Sequence, residues 1–500
     1  MNLMYHSTRN KSIKATASQA ILQGLAPDGG LFVPEVIPRL DVAMDELIRM
    51  DYHRLAYEIL KLYLTDYTEN EIKECIDKAY DDKFDTPEIA PLVKKGGLYF
   101  LELFHGATIA FKDMALSILP HLLTAAARKN NISDEIVILT ATSGDTGKAA
   151  LAGFADVKGT RIIVFYPKDG VSRIQEKQMI TQKGGNTYVI GIRGNFDDAQ
   201  TGVKKIFSDQ EMKEWMGRAG YRFSSANSIN IGRLLPQIVY YVHAYADLCR
   251  RNDISPGEEI NFVVPTGNFG NILAAYYAKR MGLPIAKLIC ASNDNKVLYD
   301  FFTTGIYDRN RQFILTISPS MDILISSNLE RLIYHIAGDD SDKTGQLMAE
   351  LSATGRYEIT PDMRSRLDSF IGGYATVSET MEAIRRVYAE TGYVIDTHTA
   401  VAVSVYEKYA KSTAGTAQGN VKTIIVSTAS PYKFLESVLK SIGAPSIPGD
   451  DYEQAKLLRE ISGVQIPKAI EEAYFSPVRH DKVCEANEMK ANVAEILKKI

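Results

Sequence analysis

The stretch Ile260-Asn261-Phe262-Val263-Val264-Pro265-Thr266-Gly267-Asn268-Phe269-Gly270-Asn271, continuing as Ile272-Leu273-Ala274-Ala275-Tyr276-Tyr277, decides the fold. A mostly apolar run of strand length gives way to a glycine-containing loop and then to an apolar helical pattern. Strand, loop and helix in that order are the unit of a parallel sheet covered on both faces, where ligands collect at the carboxyl ends of the strands. Gly267 and Gly270 let the backbone approach an anion closely, and the amides and positive dipole end of the following helix favour negative charge. The loop therefore outlines a phosphate cradle; a tight strand-to-helix turn without a ligand is the plain alternative.

The unit recurs from Leu98 onward. Strand patterns at Ile136–Leu139, Arg161–Tyr166, Thr187–Ile192, Ala286–Cys290 and Lys422–Val426 alternate with helical stretches, which predicts a layered α/β fold with chemistry in the strand-to-helix loops. Residues 1–95 mix short apolar segments with charged helical patterns and read as an N-terminal accessory domain. Residues 96–224 form a smaller α/β domain and 225–500 a larger one, with a helical insertion at about 300–390 punctuated at Gly305, Pro319, Gly338, Gly355 and Gly372-Gly373.

Composition narrows the function. A chain of 500 residues, 45% hydrophobic, can bury a large core in two or three domains. Net charge is −4 on 57 basic and 61 acidic residues, with no basic block to follow a nucleic-acid backbone. Cys75, Cys249, Cys290 and Cys484 lie far apart, which suits reduced thiols as core fillers rather than disulfides or zinc ligands. With neither a signal-peptide pattern near Met1 nor a membrane-length apolar run, a cytoplasmic location is the expectation.

Four other segments carry candidate chemistry. In Phe104-His105-Gly106-Ala107-Thr108-Ile109-Ala110-Phe111-Lys112-Asp113, one lysine sits among aromatic and apolar residues. Desolvation there would lower its pKa and make the amine a carbonyl nucleophile, although a solvated surface lysine reads the same way. Thr140-Ala141-Thr142-Ser143-Gly144-Asp145-Thr146-Gly147-Lys148 fails as a nucleotide-binding P-loop, which needs glycine at Thr142 and Ser or Thr at Ala149. Its hydroxyls and amides at a helix start suit a carboxylate, or simple capping by Ser143 or Thr146. Ser224 to Arg233 is dense in donors and ends in an arginine able to grip phosphate, with caps and turns as the alternative. Ile424-Ile425-Val426-Ser427-Thr428-Ala429-Ser430-Pro431 could aim a hydroxyl at a ligand, or form a Ser/Thr turn before proline. His105 and His398 are too isolated for metal ligation and read as core or capping residues, so no metal is expected.

The order of these loops resembles the tryptophan-synthase-β-like pyridoxal phosphate enzymes, and more closely the threonine synthase family of bacterial and fungal type. Tyr5-x-Ser7-Thr8-Arg9, Gly24-Leu25-Ala26-x-Asp28-Gly29-Gly30-Leu31-x-Val33-Pro34-Glu35, Met321-Asp322 and Ser327-Asn328-x-Glu330-Arg331 extend the resemblance over nearly the whole chain. It implies pyridoxal 5'-phosphate held by Lys112 through a Schiff base, its phosphate surrounded by Gly267, Asn268, Phe269, Gly270 and Asn271, and Thr428 facing the ring nitrogen. It further implies a substrate carboxylate at Ser143, Gly144 and Thr146, a leaving phosphate at Asn227, Ser228 and Arg233, and conversion of O-phospho-L-homoserine to L-threonine. A sibling lyase such as threonine dehydratase, or a non-catalytic pyridoxal-phosphate-binding relative, is the alternative; monomer and homodimer both fit. Asp145 stands where many relatives carry asparagine near the cofactor's phenolic oxygen, which an anion would repel. Asn271 replaces an expected aspartate, and Thr397 an expected proline.

Overall fold

The computed structural model describes residues 2–142 and 144–498. The six strand patterns named above all fall on strands, with Lys422 alone lying one residue outside, and they sort into two sheets. The larger has the order Phe370–Tyr374, Ile285–Ser292, Ile260–Pro265, Thr423–Ser427, Leu98–Glu102, Leu92–Lys95, parallel except for its last pair. The smaller, Val483–Glu485, Thr187–Arg193, Thr160–Pro167, Glu135–Ala141, Tyr221–Ser224, is parallel throughout. Helices cover both faces, and the strands Ile260–Pro265 and Thr160–Pro167 are buried at every residue, which is why they read as continuous apolar runs. The sheets do not follow the linear order of the chain: Leu98–Glu102 joins the larger one, and Val483–Glu485, near the C-terminus, edges the smaller.

Residues 300–390 differ from a purely helical insertion. They carry the helices Leu329–Ile336, Ser341–Thr354 and Val377–Thr391, but Ile306–Asp308 and Arg356–Glu358 pair as a two-stranded sheet and Phe370–Tyr374 supplies an edge of the larger sheet. Gly372-Gly373 reads as a turn because glycines usually mark one, yet here they make room for the layers above and below. A Cβ on Gly372 would stand 3.0 Å from Phe302 Cβ, and one on Gly373 would stand 2.4 Å from Val405 Cγ1.

The N-terminal segment begins with a small antiparallel sheet in which Tyr5–Ser7 lies between Lys14–Ala15 and Phe32–Pro34. The helix Tyr52–Tyr63, capped by Asp51, buries Tyr52, Leu55, Ala56, Ile59, Leu60 and Tyr63 on one face. It packs against Pro236–Arg250, a helix buried from Pro236 to Cys249, Gln237, His243 and Asp247 included. Polar bonds also cross into the rest of the molecule. Tyr80 Oη donates to Met114 O (2.8 Å), and Asn230 Nδ2 donates to Ile21 O (2.9 Å). Arg331, fully buried, donates from Nε to Phe32 O (2.9 Å) and from Nη2 to Ile229 O (2.6 Å).

Two contacts near Lys112 generate predictions. Gly153, in the helix Asp145–Phe154, lies so close to the short helix Asp113–Leu116 that a Cβ would stand 2.1 Å from the Leu116 carbonyl oxygen. Backbone cannot rotate aside as a side chain can, so Gly153→Ala is expected to destabilise by about 1–3 kcal/mol through overpacking, read as a lower denaturant midpoint at unchanged slope. His105 lies between two carboxylates, Nδ1 at 2.5 Å from Asp85 and Nε2 at 2.9 Å from Glu102. Burial pulls its pKa down, but the two carboxylates outweigh burial and raise it from 6.5 to about 9. The stabilisation this lends is full below pH 6.5 and lost as pH rises through about 9. Thermal midpoints measured from pH 6 to 10 should fall across that window, and His105→Gln should flatten the fall.

Candidate active site

The loop before Lys112 is rigid for local reasons. Ile109 has φ of 53°, a left-handed conformation that β-branched residues rarely adopt, and tertiary bonds hold it there. Phe111 N donates to Thr428 O (2.8 Å), Ser430 N donates to Ile109 O (3.0 Å), and Ala110 bridges Ala429. Inside the loop, the Asp113 carboxylate accepts from Thr108 N (2.8 Å) and Thr108 Oγ1 (2.6 Å), folding over Gly106, where a Cβ would stand 2.6 Å from Asp113 Cβ. The end of the strand Thr423–Ser427 therefore anchors the segment that presents the lysine.

Lys112 Nζ lies 3.4 Å from Ser320 Oγ, 3.7 Å from Asp145 Oδ2 and 5.2 Å from the centre of the Phe111 ring. Burial pulls its pKa below the usual lysine range; Asp145 opposes that shift, and the nearby cations Lys433 and Arg233 reinforce it. Asp145 is the hub of the site. Its Oδ1 accepts from Lys433 Nζ (2.8 Å) and Gln175 Nε2 (3.0 Å), and its Oδ2 from Ser320 Oγ (2.9 Å). Burial by itself would raise this carboxyl, but Lys433 and Lys112 hold it well below the usual carboxylate range. The anion expected to be an awkward neighbour for a phenolic oxygen is thus already partnered by a lysine that the sequence reading passed over.

Ser320 is held from the other side. Its backbone N–H donates to His398 Nε2 (3.1 Å), so the ring proton sits on Nδ1 and is donated to Asp396 Oδ2 (2.9 Å). Asp396 also caps the helix Thr397–Thr413, accepting from the backbone of His398 and Thr399. His398 is therefore buried and satisfied, in line with a core or capping residue, and it also positions a side chain in the site.

The glycine loop after Ile260–Pro265 has the form of an anion cradle. A Cβ on Gly267 would stand 2.6 Å from Ser320 O, Asn268 O accepts from Asn328 N (3.1 Å), and Phe269 adopts φ of 65°. The helix Gly270–Arg280 then starts, among the described residues, with no side-chain cap on its first amides, which leaves them for an anion. Asn271 Oδ1 accepts from Tyr240 Oη (2.5 Å) and Tyr241 Oη (2.7 Å), while its buried Nδ2 has no partner among the described residues.

The remaining loops separate. Gly144, with φ of 133°, and Gly147 both donate their N–H to Thr142 Oγ1, at 3.0 and 2.9 Å. Capping thus falls to Thr142 rather than to Thr146, which stays half-buried at the helix start; Ser143 lies outside the described residues. Arg233 is buried, donates Nη1 to Ala226 O (2.7 Å), and has no partner for Nε among the described residues. Burial lowers its pKa to about 10, so it stays a cation at neutral pH. Ser228 is half-buried, and Asn227 is exposed, its side-chain Oδ1 accepting a long bond, 3.5 Å, from Thr140 Oγ1. Thr428 is buried beside Lys112 through its carbonyl. Ser320, Gln175, Lys433 and Asp396 complete the site unanticipated. Lys433, in Pro431-Tyr432-Lys433-Phe434, could have been noticed as a lysine between aromatics just past a strand-end loop.

A buried amine, free helix amides and an unsatisfied buried guanidinium nitrogen fit pyridoxal phosphate, which needs a nucleophilic lysine and a phosphate cradle. Comparison with known proteins agrees. The chain matches family models described as threonine synthase N terminus over residues 4–80, pyridoxal-phosphate dependent enzyme over 84–427, and threonine synthase, C-terminal, over 399–465. It is 36% identical to the threonine synthase of Saccharomyces cerevisiae over 87% of this chain and 88% of that one. It is 39% identical to human threonine synthase-like 1 over 88% of this chain, but spans only 60% of that protein's length. Among solved structures, yeast threonine synthase superposes with a TM-score of 0.88 at 33% identity, covering 100% of this chain and 99% of that one. The pyridoxal-phosphate-bound threonine synthase of Brucella melitensis gives 0.84 at 32%, covering 99% of both. With the lysine, the cradle and the flanking loops in one parallel α/β frame, the chain belongs to the threonine synthase family of pyridoxal-phosphate-dependent enzymes.

Proposed function

We propose that the protein converts O-phospho-L-homoserine and water to L-threonine and phosphate. The observation that carries this reading is one buried lysine amine beside two separate places for anions, the uncapped helix start at Gly270 and the buried guanidinium of Arg233. A sibling lyase acting on a substrate without phosphate has no use for the second.

Bound at Lys112, pyridoxal phosphate supplies an electron sink that makes the substrate's α- and β-hydrogens acidic. The backbone of Gly267, Asn268, Phe269, Gly270 and Asn271 holds the cofactor phosphate, and Thr428 offers a neutral hydroxyl toward the ring. Gly144 and Thr146, with Ser143, receive the substrate carboxylate at the start of the helix Asp145–Phe154, where amides and dipole favour an anion. Arg233, with Asn227 and Ser228, holds the phosphate that leaves the γ-carbon. Lys112 Nζ would serve as the base for the α- and β-hydrogens, because burial favours its neutral form. The oxygen of water ends on the β-carbon, and phosphate departs with the oxygen that linked it to the γ-carbon. Among the described residues no helix is long and apolar enough to cross a membrane. Four buried free cysteines support a cytoplasmic setting.

The purified protein is expected to release phosphate and L-threonine in equal amounts from O-phospho-L-homoserine. Lys112→Ala should abolish both products and the visible absorbance of the bound cofactor. Arg233→Ala should lower kcat/KM roughly 100-fold through loss of a buried charge-assisted phosphate contact, with Arg233→Lys intermediate. The relatives named threonine synthase-like favour a second reading, a cofactor-binding protein that forms no threonine. Cofactor absorbance without threonine would select it.

A further inference from the structure

A buried lysine and a half-buried one share one carboxylate. Lys433 Nζ stands 2.8 Å from Asp145 Oδ1 with its side chain 1% exposed, and Lys112 Nζ stands 3.7 Å from Asp145 Oδ2 with its side chain 13% exposed. Lys433 also donates to Thr108 O (3.2 Å), so it is bonded both to the carboxylate and to the loop that carries Lys112. Among the described residues Lys112 Nζ has a long contact to Ser320 Oγ, a loose one to Asp145 and the face of the Phe111 ring, all weaker than the bonds of Lys433. One buried negative charge cannot fully compensate two neighbouring ammonium groups, and the lysine with the weaker partners is the one that discharges.

We propose that Lys433 is a positioning residue whose ammonium occupies Asp145 and so leaves Lys112 the neutral, nucleophilic amine of the site. The inference deepens the proposed function, since it rests on Lys112 as the reactive lysine. Lys433 donates to one carboxylate oxygen together with Gln175, and Ser320 takes the other, so Asp145 arrives at Lys112 with its charge largely spoken for. Had Lys433 been uncharged, Asp145 would pair with Lys112 and hold it as an ammonium. The other charged groups nearby do not take over this role. Arg233, on the helix Ile231–Leu234, adds to the positive charge around Lys112. The Asp113 carboxylate is turned toward Thr108, Lys148 Nζ donates to Gln182 Oε1 (2.5 Å), and His398 reaches the site only through the Ser320 backbone.

The test reads the amine itself. The full chain, stripped of cofactor, is mixed with pyridoxal phosphate across pH 6 to 10, trapped with borohydride, and the adduct at Lys112 is quantified by mass spectrometry. In this step the Lys112 nitrogen bonds to the aldehyde carbon and the carbonyl oxygen leaves as water with two hydrogens from nitrogen; borohydride then delivers hydride to that carbon, and water a proton to nitrogen. Only the neutral amine attacks, so the rate rises with pH along a titration curve. Lys433→Gln removes the charge but keeps a donor for Asp145, and is expected to move the midpoint up by at least one pH unit, about tenfold slower adduct formation below the midpoint. Lys433→Arg, which keeps the charge, should leave the midpoint in place. If Lys433→Gln does not fold, Lys433→Met, closer in shape to the lysine stem, is read in its place with the same expected rise in midpoint. A curve for the Lys433→Gln change that superimposes on its parent overturns the proposal, with Lys112 still reactive. If no adduct forms at Lys112 at any pH in the parent chain, the proposed function falls and this inference with it.

Discussion

Burying charge is the constraint on which the centre of this molecule depends. Lys433 and Arg233 are buried and Lys112 is half-buried around the carboxylate of Asp145. Moving an ion from water into a protein interior costs several kcal/mol even after relaxation, so such a cluster persists only with close partners and well-placed donors. The structure supplies them to Asp145 in full: Lys433, Gln175 and Ser320 each hydrogen-bond it. It supplies them to Arg233 only in part, and that shortfall, an orphaned guanidinium nitrogen, marks where an anionic ligand belongs. The excess positive charge is the complement of a phosphorylated cofactor and a phosphorylated substrate.

Rigidity around that cluster comes from backbone more than from side chains. The carboxyl ends of Thr423–Ser427 and Ile260–Pro265, neighbours in the larger sheet, deliver the anchoring loop at Thr428 to Ser430 and the cradle at Gly267. Gly267 permits the Ser320 backbone to come against the cradle, and Gly153 permits the helix carrying Asp145 to rest on the helix following Lys112. Each glycine is required by close approach rather than by a turn. Ser320 then meets Lys112 and Asp145 from a third direction, its own backbone held by His398 and Asp396.

The parallel sheets were legible because their central strands are buried on both faces, leaving unbroken runs such as Arg161–Tyr166 that no surface segment imitates. Short or edge strands were not: Tyr221–Ser224 and Val483–Glu485 carry too few apolar residues to stand out, and Phe370–Tyr374 contains two glycines. Lys112, the glycine loop and Arg233 could be picked out because each combines a chemical group with a local signal, a strand end or a helix start. Lys433 and Ser320 lack that second signal. Their importance lies in which residues they touch, 288 and 175 positions away from Asp145, and no local pattern encodes such distances. Thr142 displays the same limit on a small scale: Thr146 reads as a cap as readily, and only three-dimensional geometry gives the role to Thr142 instead.

The family models divide the chain near residue 80, as if the first segment were a separable unit joined to a self-sufficient catalytic body. The bonds across that boundary say otherwise. The carbonyls of Ile21, Leu22 and Phe32 are the acceptors for Asn230, Ser224 and Arg331, residues that frame the loop bearing Arg233. Cutting the chain there would leave an arginine with a buried, unmet donor and would release the loop from these carbonyl anchors on the first segment. What inheritance treats as a cassette is, in mechanical terms, one wall of the same vessel. A catalytic body excised at that junction is therefore not a smaller enzyme but an incomplete one, and fusions or circular permutations that respect the boundary in sequence would still break the molecule in space.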